Sequence, residues 1–275
     1  MAESFREQCS HPMSSHHHSA SYDNPLLAEL YDASETETLD VELLQGLIGD
    51  SGPLNILECF SGTGRILIPL VTSGHRVTGI EIAPAMAARA VEKIALLEDS
   101  ARNRATIKVQ DVLASNWGAG FDLVVLGANS FYELPSPETQ ERCIEMARSA
   151  LRPGGKLFVD NNDYKGGWGR GPFGQERVIF EGAGDDGTYG RWTLENLRFD
   201  EAAGVLHMNH RWHTRTSSGE EHFSEYLGSK HPVTASEVSK HLDRHGFHIL
   251  EFFGDRSGNP HTSDSQRAIF WAQKR

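Results

Sequence analysis

The chain has 275 residues and carries 38 Asp and Glu against 26 Lys and Arg, which gives a net charge of -12. This length accommodates one domain with an insertion, or a domain with a small appendage. The acidic excess repels a phosphate backbone, and the sequence contains no basic patch that offsets it. A small-molecule partner is therefore expected, and nucleic acid is not.

Apolar runs and cysteines exclude further classes of protein. The longest apolar runs, such as ILIPLV and DLVVLG, are far shorter than the roughly 20 residues that cross a bilayer, and the N-terminus lacks a signal-peptide pattern. The sequence therefore predicts a cytoplasmic protein without membrane association. Its three cysteines are widely spaced and include no CxxC pair, so neither a disulfide framework nor a metal site is expected.

The first half of the chain has the pattern of a parallel sheet. Residues 1–21 are polar and aperiodic, which predicts a disordered tail in front of one domain over 22–275. Up to Asn162, strand-like runs then alternate with helix-like segments, as in a sheet covered by helices on both faces. The predicted strands are NILECF, HRVTGIEI, ATIKVQDV, FDLVVLGAN and GKLFVDNN.

The segment 165–230 has a different pattern. Four alternating runs separated by Gly, Asp and Ser clusters predict an antiparallel sheet inserted after the fifth strand, on the substrate side. Its exposed edge offers a surface for a homodimer. A helix over 235–245, capped by Thr234 and Glu237, and the closing strand pair HGFHILEFF and QRAIFWAQK follow. The predicted fold class is α/β, a doubly wound seven-stranded sheet with this inserted sheet.

The segment Leu57–Arg65, LECFSGTGR, joins the first predicted strand to the first helix through a glycine turn. Such a turn lets the backbone approach a ligand closely, and the helix N-terminus presents unpaired N–H groups. Alone, it could hold a phosphate, a carboxylate or nothing. Glu81 ends the second strand, where a carboxylate can accept both hydroxyls of a ribose, and Asp111 follows the third strand at the same edge.

Together these residues resemble the class I methyltransferases that use S-adenosylmethionine (SAM). The family pattern ExGxGxG stands here as ECFSGTG: Glu58, Gly62 and Gly64 match, and Phe60 replaces the first glycine. The step LRPGGKLFVD also resembles the family. The likeness covers about 22–162 and the region from Pro232 onward, and it implies a Rossmann-like fold with SAM as cofactor and S-adenosylhomocysteine as product.

The resemblance also implies roles for individual residues. Gly62 and Gly64 would flank the methionine moiety, and Asn129 would lie near the sulfonium. Glu81 would bind the ribose hydroxyls. Ile82 would pack on the adenine, and Asp111 would accept from its amino group, with Val112 supplying an adjacent backbone N–H. The complete set of expected cofactor contacts is Tyr22, Tyr31, Glu58, Ser61, Gly62, Gly64, Arg65, Glu81, Ile82, Asp111, Val112 and Asn129.

Each assignment has an alternative. The glycines could only turn a strand into a helix, Asp111 could cap the segment that follows it, and Tyr22 and Tyr31 could pack an N-terminal helix on the core. A nicotinamide-dependent dehydrogenase is disfavoured because its GxGxxG pattern would require a glycine where Leu67 stands.

Methyl transfer is an in-line displacement, so the main tasks of the protein would be alignment and exclusion of water. The expected acceptor is a nitrogen or oxygen nucleophile of a small metabolite, because the proline pair typical of nucleic-acid amino-methylating members is absent from GANSFYEL. Substrate contacts are expected from Tyr132, Asn161, Arg211 and His213. His213 would be the base and Arg211 would hold a carboxylate, if their face of the strand points towards the cofactor. The alternative is a protein that senses SAM, or acts as a scaffold, without transferring methyl.

Overall fold

A computed structural model describes residues 23–114, 116–166 and 172–275. It contains a seven-stranded mixed sheet with helices and a separate four-stranded antiparallel sheet, which confirms the predicted fold class. The predicted tail, 1–21, and Tyr22 lie outside the described residues.

The strands of the large sheet are β1 (Asn55–Cys59), β2 (Arg76–Glu81), β3 (Ala105–Val109), β4 (Phe121–Leu126), β5 (Leu151–Asn162), β10 (Phe247–Phe253) and β11 (Arg267–Lys274). The inserted strands are β6 (Glu176–Ala183), β7 (Tyr189–Asp200), β8 (Val205–Arg215) and β9 (Glu221–Lys230). The helices of the described part are α1 (Pro25–Ser34), α2 (Leu39–Ile48), α3 (Leu67–Thr72), α4 (Pro84–Ala95), α5 (Asp99–Arg102), α6 (Pro137–Ala150) and α7 (Ala235–Arg244).

The order of strands in the large sheet places a ligand crevice at its centre. The order is β10-β11-β5-β4-β1-β2-β3, and only β11 runs antiparallel to its neighbours. The connections reverse direction between β1 and β4. In open α/β sheets, ligands bind beyond the carboxyl ends of the strands at such a point. The carboxyl ends of β1, β2, β4 and β5, which we call the carboxyl edge, are therefore where a site is expected.

Both faces of the large sheet are buried. One face packs with α6 and α7 around side chains such as Phe131, Ile144 and Leu242. The other packs with α2 and α3, where Leu44 and Leu67 lie. The predicted capping box of α7 is confirmed, with Thr234 and Glu237 bonded reciprocally. No helix in the described part of the chain is long and apolar enough to span a membrane.

The inserted sheet has two distinct faces. Its strands lie in the order β6-β7-β8-β9, and opposed residues share a face, as Trp192 of β7 does with Trp212 of β8. The inner face carries alternate residues of β8 that pack towards α1 and the core, and the outer face carries those between them, of which Asn209 is also buried. The inner residues are Leu206, Met208, His210 and Trp212, and the outer ones are His207, Asn209, Arg211 and His213.

Helix α1 connects the two sheets; it is the N-terminal helix that was expected, without bounds, as the alternative role of Tyr22 and Tyr31. Its start is encoded locally, because Asn24 accepts from the backbone N–H of Leu26 at 3.0 Å and Pro25 occupies the first turn. One side of α1 presents Leu30 to the inner face, where a Cβ on Gly190 would lie 2.2 Å from its side chain. The other side packs Tyr31 near Met86 at the start of α4.

Candidate active site

The glycine turn after β1 adopts the backbone conformation that its sequence requires. Gly62 and Gly64 have φ of 53° and 82°, in the left-handed region that glycine enters without penalty. Phe60 has φ of 61°, so the phenylalanine accepts the conformation of the glycine it replaces, at a cost of about 1–2 kcal/mol. Because Gly64 is left-handed, it cannot form part of α3, which begins at Leu67.

Glu81 holds this turn against the end of β2. Its Oε2 accepts from the backbone N–H of Gly62 at 2.8 Å, and its Oε1 accepts from that of Ala83 at 2.8 Å. Burial raises the pKa of Glu81, and the two backbone donors counteract that rise. The carboxylate therefore joins the glycine turn to the β2–α4 connection. The resemblance implies that the ribose of the cofactor binds at this carboxylate.

Glu58 is a buried and incompletely satisfied carboxyl at the carboxyl edge. It lies in β1, its side chain is buried, and its Oε2 has no hydrogen-bond partner among the described residues. Burial raises the pKa of this carboxyl well above its usual range, although Arg65 counteracts the rise. An acceptor oxygen that is buried and unpaired costs about 1–3 kcal/mol, which a cationic ligand could recover.

Ser61 and Arg65 fix the surroundings of the turn. The hydroxyl of Ser61 points at Gly79 of β2, where an added Cβ would lie 2.6 Å from it. Arg65 makes a bidentate ion pair with the buried Asp40 of α2, with distances of 2.8 and 2.5 Å. The Arg65 guanidinium is thus held by Asp40, whereas the Ser61 hydroxyl is buried without a hydrogen-bond partner among the described residues. Their expected contacts with the cofactor stay predictions.

A buried ion-pair network extends from Asp40 across the carboxyl edge. Asp160, at the end of β5, accepts from Arg256 at 3.0 Å and from Arg267 at 2.8 Å. The second guanidinium nitrogen of Arg256 lies 3.5 Å from Asp40. No local sequence pattern indicates this network, because its members are far apart in the chain.

The network also supports a strained turn after β4. Ala128 and Asn129 have φ of 55° and 64°, and such non-glycine residues in the left-handed region persist only where their surroundings fix them. The Oδ1 of Asn129 accepts from the backbone N–H of Asn162 at 2.8 Å and from Arg267 at 3.2 Å. Asn129, the residue expected beside the sulfonium, therefore has a strained backbone and a side chain that is held by the ion-pair network.

Asp111 and its neighbours take the geometry of a capped turn. The Oδ1 of Asp111 accepts from the backbone N–H of Leu113 at 2.8 Å, which matches the alternative that it caps the following segment. Val112 is buried and its carbonyl accepts from Trp117 at 2.8 Å. Ile82 is half-buried beside Glu81. Their roles at the adenine stay predictions.

Tyr31 lies over the glycine turn. A Cβ on Gly62 would approach its ring to 4.0 Å and the methyl of Met86 to 3.7 Å. Burial raises the pKa of the Tyr31 phenol, and the nearby Glu35 raises it further, so the hydroxyl stays neutral. The same helix is tied to α4 by Asp32, which pairs with Lys93 at 2.7 Å.

The expected substrate contacts separate into two groups. Tyr132 and Asn161 meet at the carboxyl edge, where the Tyr132 backbone N–H donates to the Asn161 side chain at 3.0 Å, while the Asn161 Nδ2 is buried without a partner among the described residues. Arg211 and His213 point the other way, from the outer face. Arg211 pairs there with Glu176, Glu195 and Glu225 at 2.8 to 2.9 Å.

His213 is exposed and packs against Phe223, with ring centroids 4.8 Å apart. It follows the buried Trp212, which faces α1, so the side chain of His213 points away from α1 and the glycine turn. This geometry does not support the predicted roles of His213 as base and of Arg211 as a carboxylate ligand. The alternation of side chains along β8 was predictable from the sequence, but which of its two faces packs against α1 was not.

Comparisons with known proteins agree with this geometry. Residues 57–157, which include the glycine turn, Glu81 and Asn129, match a family model described as a methyltransferase domain. Over these residues the chain is similar to a methyltransferase domain, and its fold is that of solved SAM-dependent methyltransferases. Over 135 residues it is 30% identical to glycine N-methyltransferase of Rattus norvegicus, a match that covers 44% of each protein. The chain thus matches less than half the length of this curated relative.

Two solved methyltransferases share the fold over nearly the whole chain. A SAM-dependent methyltransferase from Clostridium acetobutylicum has a TM-score of 0.72 at 15% identity, and the match covers 90% of this chain and 97% of that one. The sugar N-methyltransferase KedS8 from a Streptoalloteichus species has a TM-score of 0.68 at 18% identity, with 90% and 92% covered. The shared fold therefore includes the inserted sheet as well as the methyltransferase core.

Proposed function

We propose that this methyltransferase transfers a methyl group from SAM to an amine nitrogen of a small molecule. The observation that carries the proposal is the convergence at one edge of the glycine turn, the unpaired Glu58 oxygen, the Glu81 clamp and the strained Asn129. Nitrogen is favoured over oxygen because the rat relative and KedS8 are both N-methyltransferases.

The residues present fit the cofactor. Glu58 offers a buried acceptor to the ammonium of the methionine moiety. Gly62 has no side chain, so its backbone can approach the cofactor beneath Tyr31. The Glu81 carboxylate would accept hydrogen bonds from the ribose hydroxyls, either beside or in place of those from the backbone N–H groups. SAM would supply an electrophilic methyl group on a sulfonium, and transfer would be an in-line displacement by the nitrogen lone pair.

The protein's own contribution would be alignment and desolvation. The Arg267–Asp160 pair fixes the turn at Asn129, which would position the methyl group relative to β4. Helix α1 covers the glycine turn and would exclude water from it. The acceptor nitrogen must arrive without its proton or lose it to solvent. As the carbon–sulfur bond breaks, the carbon–nitrogen bond forms.

Calorimetry with S-adenosylhomocysteine tests the cofactor part of the proposal. We expect micromolar affinity in the wild type and a loss of about 10- to 100-fold in Glu81→Ala, because a carboxylate hydrogen bond contributes about 1.5–3 kcal/mol. Arg211→Gln, on the outer face, is the matched control and should bind as the wild type does. Absence of binding to the wild type would overturn the proposal.

A second candidate function is sensing of SAM without transfer. Two observations favour sensing. Phe60 stands in the left-handed turn where the family pattern has a glycine, and the outward position of His213 leaves the expected base away from the turn. The two functions separate in one assay. Formation of S-adenosylhomocysteine with any amine of a metabolite panel, detected by mass spectrometry, excludes sensing alone.

A further inference from the structure

A chain of polar contacts joins the two turns that the proposed site brings together. One is the glycine turn after β1, and the other is the strained turn after β4. Each member of this chain contacts the next within 3.5 Å. In order, the members of this ion-pair chain are Arg65, Asp40, Arg256, Asp160, Arg267 and Asn129.

Arg256 is the link at the middle of the ion-pair chain. Its Nε donates to Asp160 at 3.0 Å, and its Nη2 lies 2.9 Å from Asp160 and 3.5 Å from Asp40. The two carboxylates belong to different elements, the end of β5 and the first turn of α2. Arg65 and Arg267 have no common partner among the described residues, so the two halves of the chain meet through Arg256.

Burial makes this link hard to replace. The side chains of Asp40 and Asp160 are 0% exposed, and that of Arg256 is 16% exposed. Burial acts to raise the pKa of Asp40, but its bond to Arg65 and the charges of Arg65 and Arg256 hold that pKa below its usual range. Without a cation between them, the two ionised carboxylates would repel each other in an interior that water screens poorly.

The loop that carries Arg256 is itself constrained. It joins β10 to β11, and the side chain of Asp255 accepts from the backbone N–H of Asn259 at 3.1 Å and from its side-chain amide at 2.8 Å. The loop also lies against α2, since a Cβ on Gly258 would be 3.6 Å from the side chain of Leu43. A side chain presented by such a loop is suited to fix a distance, because little further backbone freedom is lost when it pairs.

We propose that Arg256 is a positioning residue for methyl transfer, which fixes the spacing between the glycine turn and the turn at Asn129. The inference rests on the proposed function, in which the first turn would hold the methionine moiety of SAM and the second would face its sulfonium. SAM would contact both turns at once, so their spacing sets the direction of its methyl group. A misplacement of about 1 Å can cost roughly 100-fold in rate.

The two forms of the cofactor distinguish positioning from general stability. SAM and S-adenosylhomocysteine differ by the methyl group and its charge, which the Asn129 turn would face and the glycine turn would not. A substitution that only loosens the fold should weaken binding of both ligands by the same factor. A substitution that shifts one turn against the other should change the ratio of the two affinities.

Calorimetry with both ligands on Arg256→Lys tests the proposal. Lysine keeps the charge, but its single ammonium lacks the planar fork that bridges the two carboxylates. We expect the affinity for SAM to fall about 10-fold and that for S-adenosylhomocysteine to fall about 3-fold or less. Equal losses, a larger loss for S-adenosylhomocysteine, or no loss would overturn the proposal. Binding of S-adenosylhomocysteine to the wild type, measured first, shows separately whether the proposed function stands.

Amide NMR of the ligand-free protein gives a readout that does not depend on the cofactor. Arg256→Lys should shift the amide resonances of both Gly64 and Asn129, because each turn is tied to the same guanidinium. Arg244→Lys is the matched control: this exposed arginine of α7 pairs with Glu141, and its replacement should shift neither resonance. Unchanged resonances at either turn in Arg256→Lys would contradict the link.

Substitutions at the two ends of the chain test the same link while Arg256 is intact. Arg65→Lys and Arg267→Lys change residues without a common partner, and substitutions at independent sites normally have additive effects. If Arg256 joins the turns, the loss of SAM affinity in the double variant should depart from additivity by about 3-fold or more. Additive losses would show that the two turns are positioned independently and would refute the proposal.

Discussion

The carboxyl edge of the large sheet and the inserted sheet handle polar groups in opposite ways. At the carboxyl edge, charged groups such as Asp40 and Asp160 are buried and held by ion pairs from distant segments. In the inserted sheet Arg211 and its three glutamate partners lie on the outer face, while the inner face carries stacked aromatic rings. Buried charge is stable only when it is paired, so the first region depends on tertiary structure far more than the second does.

This difference has a functional consequence. A site that must hold a cation and transfer a group in a fixed geometry benefits from a rigid polar frame, which the edge provides around Asn129. The inner face of the inserted sheet provides stacked rings, such as Trp192 and Trp212, in place of such a polar frame. Substitutions in the two regions should therefore differ in both size and kind.

The largest effect is expected when the buried network is broken. Asp160→Asn removes the carboxylate shared by Arg256 and Arg267 and leaves two buried guanidiniums without their partner. We expect a loss of about 3–5 kcal/mol in the free energy of unfolding, measured by urea denaturation. A loss below 1 kcal/mol would show that the edge is not held by this network. Arg211→Gln again provides the matched comparison.

Helix α1 should show the next largest effect, because it is packed against both regions. Leu30→Ala deletes a fully buried side chain that fills the space above Gly190, and the resulting cavity should cost about 2–4 kcal/mol in unfolding free energy. Amide hydrogen exchange should report faster opening of α1 itself. If exchange in α1 were unchanged, the proposed coverage of the glycine turn by this helix would lose its support.

Glu58 offers a test in which stability and binding change in opposite directions. Its pKa is raised in the folded state above the ordinary value of 4.5, so the stabilising protonated form is lost as the pH rises through the folded pKa. Glu58→Gln should therefore raise the unfolding free energy by about 1–2 kcal/mol at pH 8, and the gain should shrink as the pH falls towards 4.5. Its affinity for S-adenosylhomocysteine should fall at the same time.

Measurement of thermal unfolding between pH 5 and pH 8, with and without S-adenosylhomocysteine, separates the two effects. A variant that gained stability and also bound the ligand normally would refute the assignment of Glu58 to the cofactor ammonium. Glu145, an exposed carboxyl in the middle of α6, supplies a control in Glu145→Gln, which should change neither quantity by a measurable amount.

The smallest effect is expected on the outer face. His213→Asn removes an exposed side chain, and Arg211→Gln removes a solvent-accessible ion-pair network, so each should change unfolding free energy by less than about 1 kcal/mol. Methyl transfer, measured as formation of S-adenosylhomocysteine, should also be unchanged. A large loss of turnover in His213→Asn would instead indicate that His213 is the base and that the outer face of the inserted sheet points towards the cofactor.

Much of the cofactor region was predictable from sequence because its signals are local. The glycines of the turn, the acidic residues at the ends of successive strands and the capping box of α7 each act within a few residues. Asn24 and Pro25 carried an equally local signal for the start of α1, and that signal was overlooked. The ion pairs of Asp160 had no such signal.

What the sequence determined by itself is the alternation of strands and helices, the glycine turn and the period-two pattern of β8. These follow from backbone sterics and from side-chain direction, which are properties of short segments. Only the tertiary structure decided which face of β8 meets α1, which carboxylates are paired in the interior, and where Tyr31 lies. Those outcomes depend on burial and on contacts between residues far apart in the chain, because a charge or a ring has no preferred partner until the fold supplies one.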